Sequence, residues 1–112
     1  MDNKVVLAKA VLRTAEKLGL SMNQLAQVLS VEHAAINQVS MALDPTSKPG
    51  QKALLLIQMF QSVYTLTGGD VEAIQNFMSS PNRITGGIPI EQIQKDPGLV
   101  QVLECVQALL IK

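Results

Sequence analysis

Aromatic residues are nearly missing from this chain: Phe60, Tyr64 and Phe77 are the three in 112 residues, and tryptophan is absent. Packing must therefore rest on aliphatic side chains and five methionines. The single cysteine, Cys105, excludes an internal disulfide and suits a reducing cytoplasm. It falls beside an apolar stripe with no histidine near it in sequence, which predicts a buried, inert thiol. His33 is the only histidine and has no Cys, Asp or Glu at ligand spacing, so no metal site is expected. Long hydrophobic runs are lacking too. None reaches the ~20 residues that cross a bilayer, and residues 1–20 carry charges throughout, unlike the apolar segment of a signal peptide. Neither sign of charge is in excess: nine basic and nine acidic residues cancel. A dedicated nucleic-acid binder draws most of its affinity from a basic stripe, so this balance argues against strong DNA binding by a monomer. The chain also has no phosphate loop, no nucleophile elbow and no paired carboxylates. Gly68-Gly69 and Gly86-Gly87 lack the basic residue and strand context of a phosphate site. We expect no catalytic residues, no cofactor and no enzyme.

What the chain does contain is apolar surface and punctuation. Hydrophobic residues make up 47% against 16% charged, and a chain of about this length buries roughly two-thirds of its unfolded surface. The surplus favours self-association or a permanent partner. Val5, Ala8, Val11, Leu12, Ala15 and Leu18 recur at three and four residues, the mark of one buried helical face, and Gly19 stops that helix. Ser21 with Gln24 forms a capping box that starts a second helix, with Leu25, Ala26 and Leu29 inward. Ser30 is placed to cap a third, with Glu32 in its first turn and Val31, Ile36 and Val39 facing the core.

Residues 22–41 fit a helix-turn-helix, in which Ala26, Ser30, Ile36 and Val39 supply the close contact, the turn and the buried positions. Ser30 stands where the turn glycine is usual. The outer face of the third helix would present Glu32, His33, Ala34, Asn37 and Gln38. Asn and Gln read adenine edges, whereas Glu32 repels phosphate. Asn23, His33, Asn37 and Gln38 are the candidate DNA contacts, against the alternative of a helix-turn-helix kept only as scaffold.

Asp44 to Gly50 (DPTSKPG) reads as a linker. Beyond it Ala53, Leu54, Leu55, Leu56, Ile57, Met59, Phe60, Val63, Tyr64 and Leu66 make a helix apolar around most of its girth, hence the central core helix and part of a dimer contact. Gly68-Gly69 ends it, and Asp70 caps a short helix through Phe77. From Phe77 to Leu103 the pairs Pro81-Asn82, Gly86-Gly87 and Pro97-Gly98, with Pro89, break and restart helices at short intervals. Pro89 opens a helix with Ile90 and Ile93; Pro97-Gly98 opens the last, lined by Leu99, Val102, Leu103, Val106 and Leu109. The fold class is all-α, with a helix-turn-helix region at 1–43, a linker at 44–50 and a helical domain at 51–112.

Phe77, Met78, Pro81, Asn82, Gly86, Gly87, Pro89 and Gly98, together with VLAKAVLRTAEKLGLSMNQLAQVLSV and LDPTSKPGQKALLLIQMFQSVYTLTGGD, resemble the Xre/MbcA/ParS antitoxins over nearly the whole chain. The resemblance implies a cytoplasmic bacterial homodimer that holds a RES-domain toxin inactive by blocking its active site. Such toxins act on nicotinamide adenine dinucleotide, and the complex represses its own operon through operator DNA. By this likeness Phe77, Asn82, Gly86, Gly87, Pro89 and Gly98 shape the toxin-binding domain, and the last helix with Ile111 and Lys112 approaches the toxin. Asn82 would brace the turn before Gly86-Gly87 with its side chain. The chain departs from the family pattern in three places: Phe77 replaces a common tryptophan, Gln58 and Gln61 replace common arginines, and no basic residue stands near Asn37. The competing reading is a stand-alone dimeric DNA-binding regulator whose second half only dimerises.

Overall fold

A computed structural model describes residues 3–32, 42–95 and 97–111. Six helices are present among them: α1 (Asn3–Leu18), α2 (Met22–Leu29), α3 (Lys48–Thr67), α4 (Val71–Ser79), α5 (Pro89–Gln92) and α6 (Gly98–Leu110). No strand occurs among the described residues, only an isolated antiparallel bridge between Asn82 and Gly87. The all-α class is as the sequence led us to expect.

Helix α3 is the axis of the molecule. It packs most extensively on α6, then on α1, and also on α2 and α4. Its buried face is Gly50, Ala53, Leu56, Met59 and Val63, a three-and-four repeat. Around it close Val11, Ala15 and Leu18 from α1, Leu25 and Leu29 from α2, Ile74 and Met78 from α4, and Leu99, Val102 and Val106 from α6. Its other sides leave Leu54, Tyr64 and Leu66 exposed. On α1 the inward face is as expected except that Val5 and Leu12 are only half-buried, with Leu7 and Thr14 buried in addition.

Helix ends follow local chemistry. At α2 the Ser21 hydroxyl accepts from the Gln24 N–H (3.2 Å), and the Gln24 carboxamide accepts from the Ser21 N–H (2.9 Å), completing the capping box. Three helices finish with a bond from one residue past the left-handed position back across five residues: Leu20 to Ala15, Val31 to Ala26 and Gly69 to Tyr64. Gly19 and Gly68 supply the positive φ in two of them. Ser30 supplies it in the other, at φ 57°, so it closes α2 where the sequence suggested the start of a third helix. Its hydroxyl accepts from Lys52 Nζ on α3 (2.5 Å). Expected positions His33, Ala34, Ile36, Asn37, Gln38 and Val39 lie outside the described residues.

The segment read as a linker leads directly into α3, which begins at Lys48. The Asp44 carboxylate accepts from the Thr46 N–H (2.9 Å) and hydroxyl (2.8 Å). The Ser47 hydroxyl donates to the Asp44 carbonyl (2.7 Å) and accepts from the Gly50 N–H (3.1 Å), capping the helix. Pro49 sits in the first turn, where its fixed φ favours a helix and its missing N–H costs nothing. Asp70 precedes α4 as expected, but its side chain makes no capping bond.

Candidate functional site

The punctuated stretch folds into a tight loop between α4 and α5, at residues 80–88, that meets α6 at Cys105. Asn82 organises it. Its side-chain oxygen accepts from the Ile84 N–H (2.8 Å) and, at longer range, the Thr85 N–H (3.4 Å). Its backbone closes the loop from both sides: the Asn82 N–H donates to the Gly87 carbonyl (2.9 Å), and the Gly86 N–H donates to the Asn82 carbonyl (2.9 Å). This is the bracing role assigned to Asn82 from sequence, an Asx turn in which a carboxamide replaces a backbone partner. Gly86 adopts φ 84°, open to glycine and strained for other residues.

Two residues that sequence reasoning overlooked fix the loop. The Thr85 hydroxyl donates to the Gly87 carbonyl (3.2 Å), and the Thr85 carbonyl accepts from the Gln92 carboxamide (2.7 Å). That carboxamide lies flat against Gly87, 3.2 Å from where a Cβ would stand. Their only signal was Gln92 four residues beyond Ile88 in a helix too short to attract attention. Helix α5 is thereby tied to the loop, and buried Pro89 begins it. Gly98 opens α6 and is buried; a side chain there would stand 1.8 Å from the Gln92 carbonyl oxygen. The six residues placed in this domain by resemblance thus divide: Asn82, Gly86 and Gly87 meet in one loop, Pro89 and Gly98 start the helices after it, and Phe77 stands apart, half-buried on α4 against the core beside fully buried Met78.

Several apolar side chains are exposed on the outside of this region. Ile84 stands at the loop tip, 55% exposed, beside exposed Arg83. Below it the Cys105 thiol donates to the Ile84 carbonyl (3.5 Å). Cys105 is half-buried and not fully enclosed as expected. Val100 and Leu110 are exposed on α6, and Ile111 just past its end is 80% exposed. Lys112 lies outside the described residues, as do His33, Asn37 and Gln38; Asn23 is exposed in the first turn of α2. Gln58 and Gln61, where arginine is common in the family pattern, are both exposed on α3.

Electrostatics add little to this surface. Among the described residues the one resolved shift belongs to Asp44, whose carboxyl is held below its ordinary value first by the Thr46 backbone N–H, then by the Thr46 hydroxyl, with a smaller contribution from Lys4. Among the described residues no group of three or more His, Cys, Asp or Glu side chains is arranged to hold a metal ion. No helix among them is long and apolar enough to cross a membrane.

Comparison with known families bears directly on the loop. No curated protein matches the chain. Residues 62–110 match the family described as the antitoxin Xre/MbcA/ParS C-terminal toxin-binding domain. The matched span runs from the second half of α3 through α6 and contains the whole Asn82 loop. The family resemblance in the sequence is borne out over these residues. That description is of a toxin-binding domain and not of a known enzyme family. From the last turns of α3 to the end of α6 the chain is therefore similar to the toxin-binding domain of the Xre/MbcA/ParS antitoxins.

Proposed function

We propose that this protein is the antitoxin of a type II toxin–antitoxin pair, that its toxin carries a RES domain, and that it acts by covering the toxin's active site. The observation that carries this reading is the match of residues 62–110 to a toxin-binding domain. Its supporting geometry is a loop, braced by Asn82 and Gln92, that holds an exposed apolar knob at Ile84, together with the exposed Leu110 and Ile111 at the end of α6. Binding by occlusion requires shape and apolar contact but no reacting groups, which suits a chain without a catalytic constellation. On this reading the protein is not an enzyme, works in the cytoplasm, and uses Phe77, Pro89 and Gly98 to shape the domain while Ile111 and Lys112 approach the toxin.

Self-association and autorepression complete the proposal. Leu54 and Leu66 leave apolar area on α3 beyond what the core uses, and a homodimer would also set the spacing of two helix-turn-helix units on operator DNA. The capping box of α2 and its left-handed exit at Ser30 fit the first helix and turn of that motif; Asn23, His33, Asn37 and Gln38 are the side chains assigned to DNA.

The deciding experiment is co-expression of the chain with a RES-domain toxin, scored for a stable complex and for restored growth. We expect both. A lethal RES-domain protein that neither binds the chain nor is relieved by it would overturn the proposal and favour the stand-alone regulator.

A further inference from the structure

We propose that Tyr64 is an anchor of the surface that grips the toxin, and that this surface extends beyond the matched domain onto the outer face of α1. The inference rests on the antitoxin reading and adds a place of contact to it. Tyr64 lies near the start of the matched span, is 50% exposed, and is one of only three aromatic residues in the chain. Its ring is held on two sides. Phe60, one turn earlier on α3, meets it edge to face, with centroids 5.9 Å apart and planes at 61°. Gly69 lies beneath: a Cβ there would stand 2.7 Å from Tyr64 Cζ, so the ring fills space that any side chain at 69 would need. A surface tyrosine usually loses rotamer freedom when it binds, and that loss weakens the complex. The fold has already imposed it here. Rigid, amphipathic, half-exposed tyrosines are the kind of residue that dominates binding energy at protein interfaces.

The neighbouring charge states what the partner must offer. Lys17 of α1 places its ammonium 5.7 Å from the centre of the Phe60 ring, joining α1 to the aromatic pair. Lys9, Arg13 and Lys17 follow one another at four-residue spacing and are all exposed. Like charges one turn apart disfavour a helix. With only Glu16 among them the face is positive, and a shallow groove lined by Val5, Val6, Lys9, Ala10 and Arg13 puts apolar surface between the cations. An acidic protein surface with apolar residues at its centre complements this arrangement. A second copy of the chain fits poorly, because a two-fold contact brings the same positive row against itself. A phosphate backbone makes no use of the valines.

The test uses the full chain and its co-expressed RES-domain toxin, with the dissociation constant measured at two salt concentrations. Tyr64→Ala should weaken the complex by about 30-fold, the equivalent of the ~2 kcal/mol that defines a hot spot, while Tyr64→Phe stays near wild type and both melt like the parent. Lys9→Gln, Arg13→Gln and Lys17→Gln together should weaken binding and flatten its salt dependence. Unchanged affinity in a folded Tyr64→Ala overturns the proposal. Should Tyr64→Ala fail to fold, Arg13→Glu on the solvent side of α1 decides, and full toxin affinity in that variant overturns it equally. Conversion of a dimer to a monomer with toxin affinity intact would assign the surface to self-association instead. A loss confined to binding of a mixed-sequence DNA duplex would assign it to nucleic acid. If the wild-type chain binds no RES-domain toxin, the antitoxin reading itself fails and the anchor falls with it. If the wild type binds and the variants bind equally, only the anchor is lost.

Discussion

The carbonyl oxygen of Asp44 occupies the space in which Gly50 would carry a side chain: an added Cβ would stand 1.8 Å from it. The chain entering α3 thus folds back onto the helix's own first turn, and the contact is backbone against backbone.

That contact reverses a usual sign. In an exposed helix interior, Gly→Ala stabilises by about 1 kcal/mol. Gly50→Ala should instead destabilise by about 1–3 kcal/mol, because the clash must be relieved by moving the Asp44–Ser47 turn and not a flexible side chain. Urea denaturation of the purified variant measures it; a gain in stability would show that the turn does not lie against the helix.

Asn82 is the second such point. Asn82→Ala removes the acceptor for the Ile84 N–H and should cost about 1–2 kcal/mol. Asn82→Asp keeps an oxygen in that place and should cost less. Thermal melts of both variants, with toxin affinity measured alongside, test whether the side chain braces the loop. Equal stability of Asn82→Ala and the parent would remove it from that role.

The turn after α2 makes a local prediction. Ser30 holds φ 57° without being glycine, a conformation that costs an ordinary L-residue roughly 1–2 kcal/mol. Ser30→Gly should therefore be neutral or stabilising despite losing the Lys52 contact, and Ser30→Val should destabilise by more than 1 kcal/mol on the same scale. Differential scanning calorimetry of the pair gives the sign directly.

Acid should loosen the entry to α3. The folded state lowers the Asp44 pKa, so the contribution of this carboxylate is full above its unfolded value of about 3.9 and is lost as pH falls through the lowered folded value. Asp44→Asn should be less stable than the parent near neutrality and should converge on it below that window. Stability curves that stay parallel down to the acid limit would contradict this assignment.

Local signals were legible because their physics is local. The Ser21–Gln24 capping box, the left-handed stop at Gly19, Pro89 in the first turn of its helix and the Asn82 turn each depend on residues within a few positions, and each stands as read. The loop residues were thus largely visible in sequence. The family likeness could be read there as well, since spaced prolines and glycines record backbone requirements that few other residues meet.

Composition was a poorer guide than capping geometry or a contact from elsewhere in the chain. DPTSKPG has the composition of a linker, and nothing in it announces that Ser47 will cap the next helix with Gly50 lying against Asp44. Ser30 has the composition of a helix start, but the motif that ends α2 uses it at positive φ. Cys105 follows the apolar stripe of α6, yet it is half-buried and its thiol donates to a loop about twenty residues earlier in the chain.

By itself, then, the sequence determined the helical class, most helix ends and the inward faces, because periodicity and capping are properties of neighbouring residues. Only the tertiary structure decided that Gln92 would hold the loop over Gly87 and that Tyr64 would rest on Gly69 beside Phe60. Those relationships depend on how backbone segments approach one another after the helices have packed. A glycine's missing side chain becomes informative only when something else occupies its place.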